Sequence, residues 1–419
     1  MRKALLLCAA TILAAGYSLG AHAADGQALQ IIVSINQQKL NVYDGDKLVA
    51  TSHISSGKPG HDTPTGVFSV LEKQKFHRSN KYSNAPMPWM QRITWSGVAL
   101  HESNSVPNRP ASHGCVRMPA EFARTLYTMT ARGAHVIITD EAVMPQRLMG
   151  QSLFRPSHTQ FGPSYMNDVA LRPALGSSAS PTSVEVAMND ASKVAALAPR
   201  DTDKRDPIYI LITRADNSHL LFDVQTALNQ LGFDVGEIDG ASGSKTRDAI
   251  QRFRAENALP ASDKVDDALV AALFKKADKP LPQNGQIIVR RDFAEVYRAP
   301  VTIEKPDVAL GTHFMEAVNV DPGMQIAQWY GFSLNNRIPE PAKKRLGIST
   351  DVSTLDPQAP VQALDRIQMS DETRQKIGDM LAEGSSLTIT DVESKSETGL
   401  GTNFVTLTDP LPAPITASK

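Results

Sequence analysis

Cysteine is nearly missing from this chain: 419 residues hold two, Cys8 and Cys115. So few thiols exclude a disulfide-stapled scaffold. Charge of one sign is missing too, since 43 basic residues stand against 44 acidic ones. The formal net charge of −1 gives no footing for a nucleic-acid partner. Beyond the first residues there is no apolar run near the roughly 20 residues that a bilayer span requires. No His-Glu-x-x-His pattern is present, so the commonest zinc-peptidase signature is absent as well.

The opening MRKALLLCAATILAAGYSLGAHA holds three features in export order. Arg2 and Lys3 make a positive start, residues 5–15 an apolar stretch too short to span, and Ala21-His22-Ala23 a small-residue cleavage site. Residues 1–23 therefore read as a signal peptide and the mature chain as a soluble protein of the periplasm. Leu7 stands before Cys8 where a lipoprotein signal has a small residue, which argues against lipid attachment. Cys8 leaves with the peptide, and Cys115 remains alone in an oxidising compartment where cysteines normally pair. A lone thiol there is buried and inert, bridged to another chain, or a reactive nucleophile.

The length exceeds what one core organises, and the pattern predicts a multidomain α+β chain. Residues 29–57 alternate apolar and polar positions around the turn pair Asp44-Gly45, as a hairpin with one solvated face does. Strand-like runs follow at 65–70 and 93–100. A helix is expected over 119–130, with Phe122, Leu126 and Met129 on one side, and then a buried strand over 134–138. Residues 29–140 thus form a first, mostly β sandwich. Residues 141–207, rich in Pro, Ser, Ala, Gly and Asn, read as a linker or wrapping segment. After a short strand at 208–212, residues 221–277 show helical spacing three times: Val224, Leu228 and Leu231, then Ile250 and Phe253, then Leu269 and Leu273. Gly232, Gly236, Gly240 and Gly243 mark turns expected at positive φ. This is a small all-α three-helix module. Residues 284–409 mix strand runs at 286–289 and 402–407 with a helix near 371–381.

The residues around Cys115 decide what its thiol is for. Sulfur attacks a carbonyl carbon as thiolate, so it needs a base or a field nearby. His113 lies two positions away, and His101 stands fourteen positions upstream at the end of a strand-like run. His135 sits among apolar neighbours and reads as a satisfied core residue. Gly114, without a Cβ, lets successive N–H groups converge into an oxyanion hole. Arg117 can offer a two-pronged fork to a carboxylate or carbonyl.

His101 followed by Ser112-His113-Gly114-Cys115-Val116-Arg117 resembles the L,D-transpeptidase catalytic domain of the YkuD type. Ser56-Gly57 and Thr63-Pro64-Thr65-Gly66-Val67-Phe68 resemble the segment ahead of that family's active site. The resemblance implies a β-rich fold and attack on a peptidoglycan stem tetrapeptide, with D-alanine released and a thioester formed. It makes Cys115 the nucleophile and His101 its base. His113 and Gly114 with the Cys115 amide shape the oxyanion site, while Arg117 and Ser112 hold substrate or loop. The third partner of that histidine is usually a backbone carbonyl just after it, here that of Glu102, where many members carry glycine. The middle module resembles a three-helix peptidoglycan-binding domain through Leu231-Gly232-Phe233, Ile238-Asp239-Gly240 and Phe253, with Arg254 where glutamine is common. No cofactor or metal is implied. The partners implied are peptidoglycan stem peptides and glycan, with a diamino-acid amine, a D-amino acid, water, or an outer-membrane protein or lipoprotein as acyl acceptor. The tasks implied are peptidoglycan biosynthesis, cell-wall organisation and cell shape.

Three readings compete. A thioester enzyme either transfers its acyl group to an amine, as a transpeptidase, or to water, as an L,D-carboxypeptidase or hydrolase. A zinc peptidase would use His101, His113 and Cys115 with His53 or His61, at poor spacing for converging ligands. A non-catalytic wall-binding protein would leave His101 and Arg117 without a purpose beside an intact Cys115.

Overall fold

The structure is a computed structural model that describes residues 29–79, 84–157, 206–215, 217–335, 337–353, 356–393 and 402–408. The expected signal peptide and residues 158–205 of the expected linker lie outside the described residues. Among the described residues no helix is long and apolar enough to cross a membrane.

The first unit is built from β1 (Leu29–Ser34), β2 (Lys39–Asp44), β3 (Lys47–His53), β4 (Gly66–Ser69), β5 (Glu72–Gln74), β6 (Met90–Arg92), β7 (Ala99–Glu102), β8 (Val116–Met118), α1 (Ala120–Met129) and β9 (His135–Thr139). They make a mostly β arrangement, as expected. Five of these strands run β4-β9-β1-β2-β3, with a sixth from the end of the described chain beside β4, and β5-β6-β7-β8 form a second sheet. Ile31, Val33 and Val42 of the first sheet share a core with Leu100, Val116 and Met118 of the second and with Ala123 and Leu126 of α1. Helix α1 starts after Pro119, carries Glu121 in its first turn and turns Ala123 and Leu126 inward. Of the run expected as a strand over 93–100, Ala99 and Leu100 open β7, while the part before them is a turn: Ile93 N–H bonds Val98 O, and Gly97 adopts φ +110°.

Next come β10 (Gln146–Leu148), β11 (Tyr209–Arg214), α2 (Asn217–Gln230), α3 (Ser244–Glu256), α4 (Asp267–Lys276), β12 (Gly285–Arg291), β13 (Ala294–Ile303), β14 (Thr312–Asp321), β15 (Ile326–Leu334), β16 (Ile367–Gln368), β17 (Ser386–Thr390) and β18 (Thr406–Leu407). Eight of these strands form one sheet in the order β10-β15-β14-β17-β11-β12-β13-β16. β11 and β12 are antiparallel neighbours, from Tyr209↔Arg290 to Arg214↔Gly285. The three helices are therefore inserted between adjacent strands of this sheet. Their core is Val224, Leu228, Ile250, Phe253, Leu269 and Leu273, the residues whose spacing announced it. Gly243 departs from expectation, with φ −74° as the N-cap of α3. Arg254 is buried and joined to Asp266 at 2.7 Å, and Asp266 caps α4 by accepting from Leu269 N–H.

The first hairpin keeps its expected solvated side along β3, which is exposed or half-buried throughout, while β1 and Tyr43 are covered. Ile32, Tyr43, Val67 and Ile137 pack against Phe314, Phe332 and Leu334 of the eight-stranded sheet, and β1 is buried along its whole length. Burial of both faces explains the near-continuous apolar runs LQIIVS and HVIIT. β18 crosses back as well, pairing with β4 through Thr406↔Val67 and Leu407↔Gly66.

Candidate active site

β7 and β8 are parallel neighbours with Leu100↔Val116 and His101↔Arg117 in register. Side chains alternate along a strand. Leu100, Val116 and Met118 turn into the core, which sends Ala99, His101, Cys115 and Arg117 to the other face. All four line one cavity of about 560 Å³, together with His113 and Ser112. The structure thus gathers His101, Ser112, His113, Cys115 and Arg117 along one wall, and Gly114 forms the turn behind it.

That turn is fixed by a chain of hydrogen bonds. Ser112 Oγ donates to Cys115 O at 2.5 Å and accepts from Gly114 N–H at 3.1 Å. Gly114 adopts φ +109°, a conformation that excludes a side chain at low strain. Its carbonyl accepts from Thr63 Oγ1 at 2.9 Å, and Thr63 Oγ1 accepts in turn from Gly57 N–H at 2.8 Å. Ser56 O receives the N–H groups of Ala111 and Ser112, both at 2.9 Å. Ser56 itself is gripped by the Gln38 carboxamide, which donates to Ser56 Oγ at 2.7 Å and accepts from Ser56 N–H at 3.0 Å. A Cβ on Gly57 would overlap the His61 carbonyl oxygen, so glycine is required there.

His101 is 7% exposed, and burial pushes its pKa down to about 4 against a smaller upward pull from the Glu102 carbonyl. Its Nδ1 stands 2.7 Å from Glu102 O. A carbonyl only accepts, so Nδ1 carries the proton and Nε2 holds the basic lone pair. Cys115 is partly exposed, its sulfur 3.6 Å from Gly97 O in the turn between β6 and β7. Met87, Met90 and Ala99 form the apolar cluster against which it packs. His113 is exposed, its ring edge-on to that of His61 at 4.6 Å. Lost hydration and then the charges of Lys58, His61 and Arg117 lower its pKa. Arg117 bonds Ser55 through both backbone groups at 3.0 Å, which leaves its guanidinium to the cavity.

His135 is a correction. It is buried at 2% exposure, yet neither ring nitrogen has a hydrogen-bond partner; Glu316 Oε1 lies 4.0 Å from Nε2. It is a core residue but not a satisfied one. Among the described residues no three His, Cys, Asp or Glu side chains are grouped as a metal ion needs. The sequence placed Thr63 in the segment ahead of the site without giving it a role, and did not single out Gln38 or the Gly97 carbonyl. A buried threonine six positions after an obligatory glycine was the signal available for Thr63.

With this geometry in view, the comparisons with known proteins are specific. Residues 29–138 match the family described as the YkuD L,D-transpeptidase catalytic domain. Residues 221–273 match a putative peptidoglycan-binding domain. A putative L,D-transpeptidase YkuD of Bacillus licheniformis is 29% identical over 112 residues, covering 26% of this chain and 65% of that protein. Among solved structures, an L,D-transpeptidase from Mycobacterium smegmatis is 24% identical, with 27% of this chain and 58% of that one covered at a TM-score of 0.25. One from Stackebrandtia nassauensis is 26% identical, with 26% and 55% covered at the same TM-score. The chain spans less than two thirds of the length of each. Residues 29–138 are thus similar to the YkuD L,D-transpeptidase catalytic domain, and residues 221–273 to the putative peptidoglycan-binding domain.

Proposed function

We propose that this protein is an exported cysteine L,D-transpeptidase that acts on peptidoglycan stem tetrapeptides at the cell wall, in the periplasm. The observation that carries the reading is the shared wall. His101 of β7 and Cys115, the residue just ahead of the parallel neighbour β8, face one cavity, and Glu102 O orients the imidazole so that Nε2 is the base. Nε2 takes the thiol proton as sulfur attacks the carbonyl of the diamino acid's L-centre. The tetrahedral oxyanion faces N–H groups of the 113–115 turn. Gly114 gives that turn its φ rather than a free amide, since its N–H already meets Ser112 Oγ. As the intermediate collapses, the C–N bond to D-alanine breaks and His101 protonates the departing amine, leaving a thioester on Cys115. An acceptor amine then attacks the thioester, with His101 again as base, and restores the thiol. Arg117 suits a substrate carboxylate on the same wall.

Transfer to an amine, forming a 3→3 cross-link or attaching an outer-membrane protein or lipoprotein, is the favoured outcome; transfer to water would make the same site an L,D-carboxypeptidase. The test is mass spectrometry of protein incubated with disaccharide tetrapeptides, with and without candidate amines. A cross-linked dimer supports the transpeptidase, a tripeptide alone replaces it by hydrolysis, and a Cys115→Ser protein that still releases D-alanine removes the nucleophile assignment. Cys115→Ser is expected to abolish release with the melting temperature unchanged.

A further inference from the structure

Thr63 is 4% exposed and joins two pieces of backbone that the sequence keeps far apart. Its hydroxyl accepts from Gly57 N–H and donates to Gly114 O, both bonds buried. Gly114 O belongs to the peptide that also carries the Cys115 N–H, and in a trans peptide these two groups point in opposite directions. The chain has no cis peptide among the described residues. Gripping the carbonyl end therefore aims the nucleophile's own N–H away from Thr63. Gly114 at φ +109° has no side chain to restrain that peptide plane, so an external grip is what fixes it.

Two residues further on, the same segment is tied to the end of the described chain. Thr408 N–H bonds Thr65 O at 3.1 Å, and Thr408 Oγ1 donates to Thr65 Oγ1 at 2.7 Å. Between them, Gly66 lies so close to Thr406 O that a Cβ would overlap it. The Thr63-Pro64-Thr65 stretch is thus held at one end by β18 and reaches the catalytic turn with the other.

We propose that Thr63 is a positioning residue for acyl transfer, orienting the Gly114–Cys115 peptide so that the Cys115 N–H meets the developing oxyanion, and that β18 braces it. This inference rests on the acyl-transfer reading above. It predicts that Thr63→Val, equal in volume and lacking the hydroxyl, acylates slowly while the thiol itself stays intact.

The experiment uses the full chain and follows acylation of Cys115 by imipenem, and D-alanine release, by mass. Iodoacetamide alkylation of the same thiol serves as the control for sulfur reactivity. Thr63→Val should lower the acylation rate about 100-fold, the order set by loss of one oxyanion donor, with alkylation within about twofold of the parent because attack on iodoacetamide builds no oxyanion. Thr63→Ser should restore most of the rate. Thr408→Val, which leaves Thr63 untouched, should lower it about threefold. Equal acylation by Thr63→Val and the parent overturns the proposal, and so does a parallel loss of alkylation and acylation, which would mark a collapsed turn. Should Thr63→Val not fold, a parent-like rate for Thr408→Val together with a failed rescue by Thr63→Ser overturns it. A parent protein that forms no imipenem adduct and frees no D-alanine defeats the acyl-transfer reading itself, a result distinct from all of these.

Discussion

Two buried polar regions of this molecule are built in opposite ways. At the nucleophile turn, Gln38, Ser56, Gly57, Thr63, Ser112 and Gly114 bond one another in a closed chain. Where the eight-stranded sheet covers the six-stranded one, Gln30, His135, Glu316 and Asn403 bury side-chain atoms with no hydrogen-bond partner. Gln30 and His135 are register partners on β1 and β9, and Glu316 of β14 meets them from the other sheet at 4.0 Å from His135. Satisfied polar groups rigidify a site, while unsatisfied ones leave it sensitive to protonation. The first region sets geometry for chemistry. The second places titratable groups at the contact between the two sheets, which predicts that its stability varies with pH.

The largest expected effect lies in the first region. His101→Gln keeps a side chain of similar reach but no base, and should lower D-alanine release about 10³-fold with an unchanged melting temperature. A smaller loss would mean that another group takes the thiol proton. In the parent, kcat/KM should decline on the acid side near pH 4, because burial holds His101 neutral down to about 4; below that pH the imidazolium cannot accept a proton. A decline centred near 6.5 would show that the ring is more hydrated than its place in the fold requires.

The second region predicts an effect on stability and none on chemistry. Burial raises the Glu316 pKa well above 4.5, with the charges of Glu383 and Asp44 adding to the rise and the Gln30 carboxamide opposing it. Burial lowers that of His135 to about 3. A raised carboxyl contributes stability fully present below 4.5 and lost as pH climbs toward its folded pKa. A lowered imidazole contributes stability fully present above its usual 6.5 and lost as pH falls toward 3. The two trends oppose, so stability should be flat between about 4.5 and 6.5 and fall on either side. Glu316→Gln removes the alkaline slope. It should stabilise the protein at pH 8 and change it little at pH 5, read from melting temperatures. An equal shift at both pH values would show that the folded pKa of Glu316 stays close to its unfolded value, with packing as the only difference.

The contrast also explains what the amino-acid order makes legible. The nucleophile turn is local: Ser112 to Arg117 are consecutive, and His101 sits one strand away, so the motif could be read directly. Thr63 could not, because its partner Gly114 lies 51 positions on. The turn at 94–97 was hidden by β-branched and aromatic neighbours, although Ser96-Gly97 was there to mark it. LQIIVS should have signalled a strand buried on both faces, but its covering sheet comes from residues near 314 and 332. The strand run expected at 402–407 pairs only over Thr406–Leu407, as β18.

Tyr209→Phe should have the smallest effect, and it tests the contrast at closest range. Tyr209 lies beside His135, ring centroids 5.1 Å apart, but unlike its neighbours it is satisfied: its hydroxyl donates to Gly133 O at 2.9 Å. Burial, with Glu316 as the next contribution, pushes the phenol pKa up, so it stays a neutral donor at any ordinary pH. Phenylalanine keeps the ring and leaves one carbonyl without its partner, which costs about 1 kcal/mol by the same amount at pH 5 and pH 8. If the loss instead grew with pH, Tyr209 would be donating to ionised Glu316 as well, and the cluster would be one network rather than a satisfied tyrosine beside an unsatisfied pair.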